Sequence, residues 1–125
     1  MVATDRVREV FADAHGLYES AIKRLEAGDI RDAADKAWRA IKRASDALIL
    51  ARTGNEPEKS PVTTRELRRL GGQDSAVFPL ISRYTAARDF LHGDCFYLGL
   101  CEPLDDTERL IRGAIDYIQD AELLS

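Results

Sequence analysis

The chain has 125 residues, 45% hydrophobic and 32% charged, with 18 Lys or Arg against 22 Asp or Glu and a net charge of −4. That length makes a single domain, 1–125, and the acidic balance argues against an indiscriminate nucleic-acid binder. No apolar run nears the roughly 20 residues that span a bilayer, and Met1-Val2-Ala3-Thr4-Asp5-Arg6 lacks the order of a signal peptide, so a cytoplasmic protein without membrane association is expected.

The first helix is predicted to begin near Thr4 or Asp5 and to stop at Gly28. Val7, Val10, Phe11, Ala14, Leu17, Ala21 and Leu25 recur at three- and four-residue steps and form one apolar stripe. Gly16 interrupts it, and a close helix crossing would account for that glycine. Asp29 is read as the cap of a second helix that runs to Thr53, with Gly54 just beyond. Ile30, Ala34, Ala37, Ile41, Ala44, Leu48 and Ala51 make its stripe, rich enough in alanine for a neighbour to approach closely. Two long helices joined by so short a turn must form an antiparallel hairpin.

Asn55 to Val62 carries two prolines and reads as a loop, followed by Thr63-Thr64-Arg65-Glu66 as a capping box for a short third helix ending at Gly71-Gly72. Leu80, Ile81, Tyr84, Ala87, Leu91, Cys95 and Leu98 predict a fourth helix, with Pro79 in its first turn. The last helix starts near Pro103 and carries Ile111, Ala114, Ile115, Ile118 and Ala121. No segment alternates at period two. The expected fold is all-α: an antiparallel bundle of four long helices plus one short helix.

Charge is unevenly spread. Lys36 to Gly72 holds nine basic residues against four acidic ones, whereas Cys101 to Ser125 holds two against seven. The first region can face an anionic partner; the second disfavours one. Cys95 and Cys101 match no redox motif and read as two small thiols, at least partly buried. With His92 alone beside them they cannot make a zinc site, and no metal or cofactor is expected.

The stretch from Ala87 to Tyr97 holds the chemistry most worth weighing. On a helix, Arg88 and His92 stand one turn apart on the shoulder of the buried face. A fork of guanidinium donors can hold phosphate, and a neutral imidazole can act as general base. The bland alternative pairs Arg88 with a carboxylate and His92 with a backbone carbonyl. Lys36, Arg39, Lys42 and Arg43, with Trp38 among them, are candidate RNA- or nucleotide-binding residues, since basic side chains around an aromatic hold single strands by phosphate contact and stacking. An amphipathic helix also needs a charged outer face, and Trp38 can simply pack inward. Arg65, Arg68 and Arg69 crowd the third helix, and His15 reads as a solvated or packed residue of the first. Phe90, Phe96 and Tyr97 fall off the apolar stripe, as interface aromatics do.

Leu25-Glu26-Ala27-Gly28-Asp29, Ala33-Ala34-Asp35-Lys36-Ala37-Trp38-Arg39-Ala40 and Leu91-His92-Gly93-Asp94-Cys95-Phe96-Tyr97 resemble the small helical proteins of the archaeal paralogous-repeat (PaREP) group, which is similar to a branch of the HEPN superfamily. That resemblance implies a HEPN-like bundle that forms a homodimer. Many HEPN proteins are metal-independent ribonucleases of toxin–antitoxin or defence systems; others are inactive RNA- or nucleotide-binding modules. Their active signature is an arginine, a polar residue and a histidine after about four to six intervening residues. Arg88, Asp89 and His92 match by type and are the implied catalytic set, but only three residues separate Arg88 from His92. The leading expectation is therefore an RNA- or nucleotide-binding protein with weak metal-independent ribonuclease activity. The alternative is a non-enzymatic dimerising module that partners a nucleotidyltransferase in a toxin–antitoxin-like pair.

Overall fold

A computed structural model describes residues 2–125. The order is α1 (Val2–Glu26), α2 (Ile30–Thr53), α3 (Ser60–Gln73), α4 (Phe78–Ala86), a π-helical segment (Ala87–Tyr97) that continues α4 without a break, and α5 (Leu104–Leu124). Among the described residues there is no strand.

The hairpin forms as its sequence predicts. Gly28 takes φ 87°, in the left-handed region, and Asp29 Oδ1 accepts from the Asp32 amide at 3.1 Å to start α2. Gly54, at φ 79°, ends α2. Helix α2 is the centre of the bundle and touches α1, α5, the π segment and α3. Its alanines explain this position: Ala33, Ala34, Ala37, Ala40, Ala44 and Ala47 are fully buried, so neighbouring backbones come close. Ala51, at the end of the stripe, is exposed.

The helix count departs from four long plus one short. Helix α3 has 14 residues, beginning before the expected loop ends and running past Gly71-Gly72. Pro61 lies in its first turn, where its missing N–H costs nothing. The expected capping box does not form, because Thr63 sits inside the helix and its Oγ1 donates to buried Asp46 Oδ1 at 2.6 Å. Gly71 marks a close approach: an added Cβ would stand 3.3 Å from the Phe78 Cα. Gly16 does not; it is exposed with open space around it, contrary to the expected helix crossing.

The fourth helix changes type midway. Ala87, Leu91 and Cys95 are buried at four-residue steps, a spacing that suits the wider i→i+5 turn of a π-helix better than the α period. Leu98, read as part of the stripe, lies past the end and is 62% exposed. The chain then reverses at Gly99, φ 72°, and brings Cys101 back onto Cys95. The two are joined in a disulfide, not held as the expected thiols. Proximity after the reversal is the reason; a separation of six residues does not reveal it. No described helix is long and apolar enough to cross a membrane.

Candidate active site

One face of α2 lies against the π segment through three residues at steps of four and three. Arg31 Nη2 donates to the carbonyls of Phe96 at 2.7 Å and Tyr97 at 3.2 Å, and its Nε to Phe96 at 3.1 Å. It thereby satisfies carbonyls that the end of a helix leaves without partners, with a cation at the negative end of the helix. Asp35 Oδ1 lies 3.0 Å from His92 Nδ1. Trp38 is 5% exposed, packs edge-on against Tyr84 at 5.0 Å and stands 6.2 Å from the His92 ring. Phe96 stacks on that ring at 5.8 Å.

The Asp35 contact fixes the imidazole. An ionised carboxylate only accepts, so Nδ1 carries the proton and donates it, and Nε2 of the neutral ring is left as the acceptor. The Asp35 side chain is 15% exposed and the His92 side chain 44%, which puts the carboxylate behind and the ring in front. No described residue bonds Nε2. This aspartate–histidine–aromatic arrangement is what an oriented general base requires.

Arg88 precedes His92 by four residues, just under one π turn, so the two share a face. Its Nε is 3.1 Å from Asp89 Oδ1, so the expected carboxylate partner of Arg88 is its own neighbour. Asp89 is more than half exposed, and Arg88 lines a cleft with Thr64, Arg65 and Arg68 of α3. Thr64 Oγ1 and the Tyr84 hydroxyl share a hydrogen bond of 2.9 Å at its edge. Burial pushes the Tyr84 phenol above its ordinary pKa, while the Thr64 hydrogen bond and the charges of Arg88 and Arg68 pull the other way.

Of the basic quartet Lys36, Arg39, Lys42 and Arg43 of α2, the last three line one cleft against α1, and all but Arg39 are held by carboxylates. Lys36 Nζ is held by both carboxylate oxygens of Asp32, at 3.1 and 3.0 Å. Lys42 Nζ bonds buried Asp46 at 2.8 Å, and Arg43 reaches Glu56, Asp13 and Asp46. Arg39 is exposed beside the cleft between α1 and α2 and forms no ion pair among the described residues. Trp38 faces inward, away from these cations, so it offers no stacking platform between them. His15 bonds Glu122 at 3.0 Å, far from His92 along the chain. Among the described residues no group of three or more His, Cys, Asp or Glu could hold a metal.

Asp35 is the site residue that sequence reasoning missed. Its signal was present: a carboxylate set between Ala34 and Ala37 on a helix whose small-residue face is buried, three residues before Trp38. A charge at such a shoulder needs a partner.

No curated protein and no solved structure matches the chain. The model of the archaeal PaREP1/PaREP8 family matches residues 9–99, which take in nearly all of the hairpin, the whole of α3 and α4, and the π segment. The chain belongs to the archaeal PaREP1/PaREP8 family.

Proposed function

We propose that this protein is a HEPN-like bundle that binds RNA or nucleotide phosphate beside His92 and cleaves RNA weakly without a metal. The hydrogen bond from His92 Nδ1 to Asp35 carries this reading, because it leaves Nε2 of a half-exposed side chain free to act as a base. In the reaction, Nε2 takes the proton of a ribose 2′-hydroxyl, whose oxygen attacks the adjacent phosphorus. The bond from phosphorus to the 5′-oxygen breaks, and the departing oxygen receives the proton. The products are a 2′,3′-cyclic phosphate and a 5′-hydroxyl. Arg88 offsets the negative charge that builds on the phosphorane, and Asp89 steadies its guanidinium. A second copy across a two-fold axis would present the same pair again.

The test is the integrity of a mixed RNA pool incubated in EDTA with wild type, His92→Ala or Asp35→Asn. Wild type is expected to cut, with each variant slower by about 10²–10⁴-fold, the usual contribution of a general base. An intact pool with wild type, or equal cutting by His92→Ala, would sink the reading.

A specific observation favours a second reading. Tyr97, Leu98 and Leu100 are 74%, 62% and 62% exposed, and Phe90 54%, so apolar area lies open around the end of the π segment. Such area suits a protein interface. On this reading the chain is a dimerising module, or docks on a nucleotidyltransferase, and has no catalysis of its own. Sedimentation of wild type and Tyr97→Ser/Leu100→Ser checks it: a dimer lost in the variant supports the interface, and a wild-type monomer that ignores such an enzyme removes it.

A further inference from the structure

The arginines of α3 are unused by the chemistry at His92. Arg65 and Arg68, three apart, share one face of α3, and Arg88 of the π segment lines the same cleft. The cleft holds about 460 Å³ and is lined by Ser60, Pro61, Thr64 and these three arginines, with no carboxylate in its wall. Among the described residues Arg65 and Arg68 form no ion pair, whereas neighbouring Arg69 is bound to Glu66 at 2.9 Å. The contrast with the cleft between α1 and α2 is direct: there Arg43 and Lys42 are already engaged by Asp13, Glu56 and Asp46.

Arg65 and Arg68, both without an ion pair among the described residues, share one opening with Arg88, whose Nε is held by Asp89. Guanidiniums so gathered repel each other, and an anion relieves that repulsion. Planar forks match phosphate oxygens better than they match a diffuse negative surface. The hydroxyl of Ser60 adds a short-range donor, that of Thr64 being spent on the Ser60 carbonyl, and Pro61 gives an apolar wall against which a ribose or base can rest. Arg88 belongs to both this cleft and the His92 face.

We propose that the Arg65–Arg68–Arg88 cleft seats a backbone phosphate of single-stranded RNA next to the one at His92, so that the ligand is a strand rather than a mononucleotide. The inference rests on the RNA reading of the His92 site and adds a direction to it: the strand runs from α3 across Arg88 to His92 and Phe96.

The experiment measures binding and cutting separately. Binding is read by fluorescence anisotropy of a labelled 2′-O-methyl dodecamer, which has no free 2′-hydroxyl to react, in EDTA between 50 and 200 mM salt. Cutting is read on the same sequence as RNA. Arg65→Gln/Arg68→Gln is expected to weaken binding at least about tenfold and to reduce the slope of log affinity against log salt by roughly 0.7, for the one phosphate the cleft seats. Arg65→Lys/Arg68→Lys keeps the charge and loses the fork, so its affinity should fall between the two. Unchanged affinity and slope in the glutamine variant overturn the cleft, and if His92→Ala still abolishes cutting the catalytic reading survives alone. Weakened binding with no cutting by wild type keeps the cleft and removes the catalytic reading. A wild type that neither binds nor cuts removes both. A polyglutamate peptide that competes as well as RNA, charge for charge, overturns phosphate recognition in favour of an acidic protein partner.

Discussion

Thr63 Oγ1 donates to Asp46 Oδ1 at 2.6 Å, and the two residues are fully buried where α3 meets α2. Lys42 holds the other carboxylate oxygen at 2.8 Å, so this buried charge is paired and hydrogen-bonded from two elements. Taking away the donor leaves a carboxylate short of a partner. Thr63→Val is expected to lower unfolding stability by about 1–3 kcal/mol. Asp46→Ala removes the charge but leaves Lys42 and Thr63 without it, and should cost about 3–5 kcal/mol. Urea denaturation of the two variants measures both; a loss below about 0.5 kcal/mol in Thr63→Val would show that α3 is anchored elsewhere.

Two glycines inside helices should respond oppositely to alanine. Gly16 has open space around a would-be Cβ, so Gly16→Ala is expected to stabilise by about 0.5–1 kcal/mol through helix propensity alone. At Gly71 the same methyl meets Ile81 and stands 3.3 Å from the Phe78 backbone, which has little room to give. Gly71→Ala should destabilise, by about 1–3 kcal/mol for an overpacked site. Thermal midpoints moving in the same direction for both would contradict this packing.

Acid should weaken the tie between α1 and the loop after α2. Hydrogen bonds from Arg6, at 2.8 and 3.0 Å, and from Arg43, at 3.1 Å, hold the Glu56 carboxyl below its ordinary value of 4.5. The unfolded chain therefore binds this proton more readily. The stabilisation is complete above the unfolded value and is lost as pH falls through the lower folded one. Urea midpoints taken from pH 6 downward should drop below about pH 4.5, and less steeply in Glu56→Gln. Parallel curves for the two proteins would assign the acid sensitivity to other carboxylates, Asp29 and Asp74 first, since both are also held low.

Reduction of the Cys95–Cys101 bond should loosen one end of the site. The bond closes a loop across a separation of six, for which loop entropy gives a contribution of about 2 kcal/mol. A phosphine reductant, or Cys101→Ser, is expected to lower stability by that order and to speed amide exchange between residues 93 and 101 first. Exchange rising evenly along α2 and α5 instead would mean that the bond supports the whole bundle.

Periodicity made the hairpin legible. Asp29, Gly28 and Gly54 act through the two or three residues beside them, and the alanine stripe of α2 repeats at its own α-helical period. What stayed hidden depends on contacts across the fold. Thr63 looks like a cap until Asp46, 17 residues earlier, is seen to take its hydroxyl. The α-to-π change at Ala87 shows only in the spacing of Ala87, Leu91 and Cys95, where one step of four instead of three separates the two geometries. His92 stood out because histidine titrates near neutrality, yet its orienting partner is 57 residues away. The basic quartet of α2 was visible as charge, but the engagement of Lys36, Lys42 and Arg43 with Asp32, Asp46 and Glu56 was not.

The π segment also sets what kind of change the site can absorb. Side chains along Ala87–Tyr97 can be exchanged one at a time while the backbone keeps its course. The number of residues cannot change so freely. Removing one between Leu91 and Cys95 would turn everything beyond it by about 100° if the chain relaxed to an α-helix. His92 would keep its place over Asp35, while Cys95 swung off Cys101 and the carbonyls of Phe96 and Tyr97 left Arg31. This stretch works as a measured gauge, and its reading is lost by the loss of one mark.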